Sequence, residues 1–246
     1  MSTTVAATPT LGRWVPPRRT ARLAGALYLV TFLTSVPTLA LYRPVRDHAD
    51  FVLGTGSAVG VLAAASLEVL LALSCVGTAV VLFPVVKRTS EEAALGFLAA
   101  RLVEGALVLV GVASMLAVVT LREEATTPDA SALVAVGETL VAVYERVFLL
   151  SQSLMPVISA LCLGSVLYRS RLVPRPIPIL GLVGAPLLLA SDAVILWGGY
   201  GPDSPLAVLA ALPVALWELA LGGWLLFRGF LPAVVADEPE VVAVLA

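Results

Sequence analysis

Arg101 and Glu104 stand three positions apart inside FLAARLVEGALVLVGVAS (97–114), a stretch otherwise composed for hydrocarbon. Residues at that spacing are neighbours on one helix face, and a guanidinium can grip a carboxylate there through two parallel hydrogen bonds. Glu68, Asp192 and Glu218 fall deep inside other apolar stretches. One deep base therefore faces four deep acids. An ionised side chain at the centre of a bilayer costs at least about 2.5–3.5 kcal/mol. Acids left over from the Arg101 pair must be protonated, hydrogen-bonded, hydrated in a cavity or bound to a cation. Such groups can hold a ligand, relay a proton or bind an ion; they can equally lock helices in register. Glu104 and Glu218 are the expected partners of Arg101, since Glu218 lies about ten residues from the inner end of its span, near the depth of Arg101.

Catalysis is poorly served. Asp129, Asp192 and Asp203 are scattered, and no DDxxD-like run occurs. The single histidine, His48, lies in a polar loop, which excludes a bis-His haem site, an HExxH metalloprotease and a Ser–His dyad. Cys75 and Cys162 sit in apolar runs with no second Cys or His nearby, so both read as small buried hydrophobes. No catalytic residue, metal site or cofactor is assigned. A net charge of −2 argues against a nucleic-acid partner, which needs clustered Lys and Arg.

The elements that position these residues follow from composition. The chain of 246 residues is 59% hydrophobic and 13% charged, with a mean hydropathy of +1.00. A soluble domain is about half apolar and about a quarter charged, so lipid must solvate most of this one. Six apolar runs are long enough to span a bilayer: 23–42, 58–86, 93–121, 130–168, 177–198 and 206–227. The expected fold is all-α, a polytopic transmembrane bundle of six spans over 21–230. A basic tail (1–20) expected to be disordered precedes it, and a short acidic tail (231–246) follows. With the N-terminus in the cytoplasm, the inner flanks hold ten basic residues and the outer flanks only Arg43, Arg46 and Arg122. The positive-inside rule then places both termini in the cytoplasm. One lysine against fourteen arginines, with abundant alanine, reads as the coding bias of a GC-rich bacterium, so a bacterial cell membrane is the expected location. The first run is too long for a signal-peptide core and lacks a good cleavage site.

The fourth segment would be roughly 58 Å long as one helix, so its first turns must project beyond the membrane or bend along its surface. Ser131, Glu138, Glu145, Gln152 and Ser159 recur every seven residues and predict one polar stripe facing the bundle interior. Prolines 37, 156, 186 and 213 lie inside spans and predict bends. Pro37 and Pro156 could correspond in two inverted halves, although no residue-level similarity supports a repeat. Gly56, Gly60 and Ala64 lead up to Glu68 at four-residue spacing, and Ala160/Gly164 and Gly181/Ala185 repeat the pattern. Such stripes let helices approach closely.

Three segments carry a likeness: RLAGALYLVTFLTSVP, FLAARLVEGALVLVG and GSVLYRSRLVPRPIPILGLVGAPLLLA. Together they resemble the bacterial membrane proteins of the domain of unknown function 4386 family, over roughly residues 20–230. The Arg-x-x-Glu of the third span and the SRLVPRP turn are the most specific parts. Pro176 stands where the family commonly has an aromatic. The resemblance implies an integral membrane protein of six or seven spans and no established activity. From the residues, the expected function is small-molecule, proton or cation binding or transport through a polar site built from Arg101, Glu104, Glu68, Asp192, Glu218, Glu145 and Gln152. The alternative is a non-catalytic assembly or sensing protein whose charges are structural. Expected partners are the lipid bilayer, a small hydrophobic or ionic ligand, and a second copy of the chain.

Overall fold

The computed structural model describes residues 11–124 and 129–236. Six helical spans form the bundle: α1 (Arg18–Leu41), α3 (Ala58–Val86), α4 (Glu91–Glu124), α5–α6 (Ala130–Leu149 and Met155–Ser170, joined by one π turn, Leu150–Leu154), α7 (Pro176–Leu196) and α8 (Pro205–Phe227). All six are apolar and long enough to cross a membrane. A short helix, α2 (Arg43–Arg46), and a 3-10 turn (Ala49–Leu53) fill the connection between α1 and α3. Near the two ends of the described chain, β1 (Leu11–Trp14) pairs antiparallel with β2 (Ala233–Ala236).

Each helix starts where local chemistry lets it. Ser57, Asp129 and Ser204 cap α3, α5 and α8 by accepting backbone N–H bonds in the first turn. Pro176 and Pro205 open α7 and α8, where a proline loses no helical hydrogen bond. Arg171 ends α6 at φ 56°, a left-handed stop that turns the chain into SRLVPRP. The amide of Leu231 then donates to the Leu172 carbonyl at 2.7 Å, tying the C-terminal segment to that turn.

The spans are arranged as a closed ring in chain order: α1 packs on α3, α3 on α4, α4 on α5–α6, α6 on α7, α7 on α8, and α8 back on α1. One end of the ring, the basic end, carries Arg18, Lys87, Arg175 and Arg228. The outward surface is apolar, with Leu33, Leu73, Val80, Val110, Val183 and Leu216 all exposed. Lipid offers no hydrophobic drive for helices to associate, so close backbone approach must hold the ring. A Cβ on Gly25 would meet the Leu226 amide at 2.4 Å, and one on Gly181 would meet the Trp217 ring at 2.6 Å.

Among the described residues four packed clusters fill the ring, and the two largest occupy opposite halves. Tyr28, Phe97, Leu163, Leu167, Trp217 and Leu221 occupy the half nearer the basic end, and Tyr42, Phe51, Met115 and Tyr144 the opposite half. At that opposite end α4 and α5 run on together. Arg122 clamps the loop beside them, donating to the carbonyls of Phe51, Gly54, Thr55 and Gly56 at 2.5–3.2 Å.

Some local expectations change. The heptad stripe is not one line, because the π turn inserts an extra residue and rotates everything after it by about 100°. Before the turn the buried positions are Gly137, Tyr144 and Leu149, while Glu138 is exposed and Glu145 partly so. The turn sits immediately before Pro156, which has no N–H and would crowd the carbonyl four residues back in a regular helix. α1, α7 and α8 continue through Pro37, Pro186 and Pro213 without a break, so Pro37 and Pro156 do not occupy equivalent broken positions. Gly56 belongs to the loop before α3, at φ 69°, and the small-residue stripe there begins at Gly60.

Candidate functional site

Arg101 lies in the first third of α4, about 15 Å from its start at 1.5 Å per residue, and is 1% exposed. Its Nη1 donates to both Glu104 oxygens at 3.2 and 3.0 Å and to Glu218 Oε1 at 3.4 Å. Its Nε donates to Thr78 Oγ1 at 3.1 Å, and Thr78 in turn donates to the Cys75 carbonyl at 2.8 Å. The guanidinium also lies over the Tyr28 ring, 5.1 Å from its centroid, a favourable cation–π arrangement. One side chain thus ties α4 to α1, α3 and α8. Both expected partners engage Arg101. Glu104 supplies the two-oxygen contact along the helix, and Glu218 the contact across the ring.

Next to this cluster is a cavity of about 170 Å³. Every span contributes to its wall: Thr31, Phe32, Ser35 and Val36 from α1, Leu71 from α3, Glu104 from α4, Gln152 and Pro156 from the π-turn region, Leu188 from α7, and Ala211, Val214, Ala215 and Glu218 from α8. Counted from the basic end, these residues lie roughly 14–27 Å along their helices at 1.5 Å per residue. That depth places the cavity between the two largest clusters. Glu104 and Glu218 form its charged part, and Gln152 is the remaining strongly polar side chain. Glu218 Oε1 takes the Arg101 contact, while Oε2 accepts no hydrogen bond among the described residues.

The other expected residues lie elsewhere. Glu68 is 1% exposed and is capped by two phenols, Tyr144 donating at 2.8 Å and Tyr42 at 3.2 Å. It joins α3 to α5 and to the end of α1, and it does not reach the cavity wall. Asp192, 4% exposed, accepts from Ser153 of the π turn at 2.5 Å, and its second oxygen has no partner among the described residues. Glu145 meets Arg46 at 3.5 Å, and Arg46 also reaches Asp203 at 3.2 Å, so this trio joins three elements at the end remote from the basic end. Of the seven expected positions, Arg101, Glu104, Glu218 and Gln152 come together, while Glu68, Asp192 and Glu145 form three separate contacts.

Several participants carry no signal in the sequence. Tyr28, Tyr42 and Tyr144 read as ordinary interfacial or core aromatics, and Thr78 as a helix-compatible small residue. Cys75 is buried, as a small hydrophobe should be, but its thiol also donates to Glu104 Oε1 at 3.4 Å. Ser153 adjoins Gln152, and only the π turn aims it at Asp192. No group of three His, Cys, Asp or Glu residues suited to a metal ion occurs among the described residues. A multidentate metal site is therefore not assembled among the described residues, whereas a single ammonium or a proton requires no such group.

This fold and site define a multi-pass membrane protein: a ring of six apolar helices with one guanidinium and two carboxylates beside a central cavity. The chain belongs to the family described as Domain of unknown function (DUF4386), which it matches over residues 23–229. No curated protein and no solved structure matches the chain.

Proposed function

We propose that the protein binds a small solute carrying positive charge, a proton or a cation, in the central cavity, with Glu218 as the counter-charge. One observation carries the reading: two carboxylates face a cavity bounded by all six spans, and a single guanidinium lies between them. Arg101 compensates one negative charge. The second calls for a proton or an external cation, because an unbalanced charge at this depth is costly. Binding at the axis of a closed ring, near mid-membrane, is also where a transported solute would have to pause.

The ten-to-three distribution of basic residues supports an orientation with both ends in the cytoplasm of the cell membrane. The purely structural reading has its own support at Glu68. Two phenols already satisfy that carboxyl, so we assign it to holding α3 against α5 and leave it out of the binding site.

Thermal-shift and equilibrium-binding measurements on the purified protein test the proposal, using lithium, sodium and potassium salts and a set of simple amines. At least one probe should bind saturably, and Glu218→Gln should weaken that binding at least ten-fold without unfolding the protein. If no probe binds, or if every probe binds Glu218→Gln as it binds the native chain, the proposal fails.

A further inference from the structure

The cavity wall is uneven, and the unevenness has a direction. Its contributions from α3, α4, α6 and α7 are Leu71, Glu104, Pro156 and Leu188, all buried. α1 and α8 contribute Thr31 and Val214, which are buried, but also Phe32, Ser35, Val36, Ala211, Ala215 and Glu218, none of which is buried, and Val36 is 51% exposed. Gln152, on the π turn, is the one lining residue of the other spans that keeps partial exposure. The residues that face the cavity and still reach the outside are therefore concentrated along one seam.

That seam is shut at the basic end, and beside the cavity its residues keep partial exposure. Gly25 lies so close to α8 that a Cβ would meet Leu226 N and Gly222 O at 2.4 and 2.6 Å, and a Cβ on Gly222 would meet Tyr28 Cβ at 3.0 Å. The neighbouring α7–α8 seam stays tight alongside the cavity, where a Cβ on Gly184 would meet Pro213 and Val214 atoms at 2.9 Å. The exposed flanks of the α1–α8 seam are Leu33, Leu39, Leu212 and Leu216. A molecule approaching from this side meets hydrocarbon-like surface first and carboxylates last.

We infer that the cavity is reached sideways from the bilayer, through the seam between α1 and α8, and that it takes an amphipathic monoamine. This rests on the cation-binding reading proposed above. The ammonium sits beside Glu218 Oε2, the oxygen with no hydrogen bond among the described residues. It balances the one charge that Arg101 leaves over. The apolar tail lies along Phe32, Val36, Ala211 and Ala215 and continues into lipid. A cavity of about 170 Å³ falls below the roughly 300–1,000 Å³ that encloses a whole drug-sized ligand, so the head is held and the tail protrudes. A hydrated alkali cation has no use for an apolar seam, and a dication would overcompensate the charge.

The test compares octylamine, butylamine, methylamine, octanol and sodium chloride as probes of the purified full-length protein in lipid nanodiscs, by equilibrium dialysis against empty nanodiscs. Octylamine should bind saturably at one site per chain, and octanol should show partitioning only. Glu218→Gln should weaken octylamine binding at least ten-fold. Shortening the amine from octyl to butyl should weaken it by up to about four-fold per methylene, the factor equivalent to ~0.8 kcal/mol. Ala215→Trp should obstruct the seam and weaken octylamine at least ten-fold, while Leu180→Trp on the lipid face of α7 should not. Ala211→Phe serves where Ala215→Trp does not fold. If methylamine or sodium binds in a Glu218-dependent way and octylamine does not, the lateral route falls and the cation site stands. Octylamine binding that depends on Glu218 but ignores both seam substitutions also overturns the lateral route. If no probe shows Glu218 dependence, both readings fall together.

Discussion

Replacing Arg101 with alanine should be the most damaging single truncation in the bundle. The guanidinium is 1% exposed, and the Glu104 and Glu218 side chains are 6% and 18% exposed. At 3.0 Å, and with an effective dielectric of about 20, the Glu104 contact alone corresponds to ~5 kcal/mol of Coulomb attraction before desolvation. Desolvation cancels much of this in the native protein, so the pair adds little net stability. Removing one partner is different, because it leaves two carboxyls facing each other with no cation. Breaking a buried pair costs about 3–5 kcal/mol. At roughly 2–4 °C per kcal/mol for a chain of this size, Arg101→Ala should lower Tm by about 6–20 °C in detergent. The geometry also ranks the rescues. Arg101→Leu with Glu104→Leu removes the two-oxygen partner and leaves Glu218, which can take a proton at the cavity wall; most of the loss should return. Arg101→Leu with Glu218→Leu leaves Glu104, 5% exposed, and should recover less. Differential scanning fluorimetry of the single and double variants measures this directly. A Tm unchanged on Arg101→Ala would refute the assignment of Arg101 as the charge that holds the centre together. The reverse order of rescue would make Glu218 its principal partner.

Tyr144→Phe should cost about 1–3 kcal/mol, the penalty for leaving a buried acceptor short of a donor. Glu68→Gln, which keeps acceptor and shape, should cost less, and equal Tm values for the two would undo the phenol-cap account of Glu68. Arg122→Ala removes four carbonyl contacts and should speed hydrogen exchange and proteolysis in residues 49–57 before it changes global unfolding; unchanged protection there would refute the clamp. Gly25→Leu should prevent α1 from closing on α8 and sharply reduce folded yield, whereas Gly223→Leu, with nothing within 4 Å of its Cβ, should be tolerated. An internally active reporter fused after Gly229 should be active and an externally active one silent; the opposite result would invert the proposed orientation.

The spans were legible from the chain because a bilayer imposes one strong, local requirement. About twenty apolar residues are needed to cross it, and every backbone group must be satisfied within the segment. Ala58–Val86 matches the apolar run residue for residue, and the other five helices differ from theirs by a few residues at their ends. The cost of buried charge is equally local, so Arg101, Glu104, Glu68, Asp192 and Glu218 announced themselves as residues needing partners. Which partner each one finds is not local. Glu68 and Glu218 look alike in sequence, each an acid in an apolar helix. Tertiary packing brings two tyrosines from distant turns onto one, and a guanidinium and a cavity onto the other. The heptad from Ser131 to Ser159 failed as a single stripe because one extra residue in the π turn rotated its second half, a change the spacing cannot register. Closure of the ring between α1 and α8 joins residues almost two hundred positions apart through Gly25 and Gly222. Only that closure decides that a cavity exists, which carboxylates line it, and on which side its wall is thin.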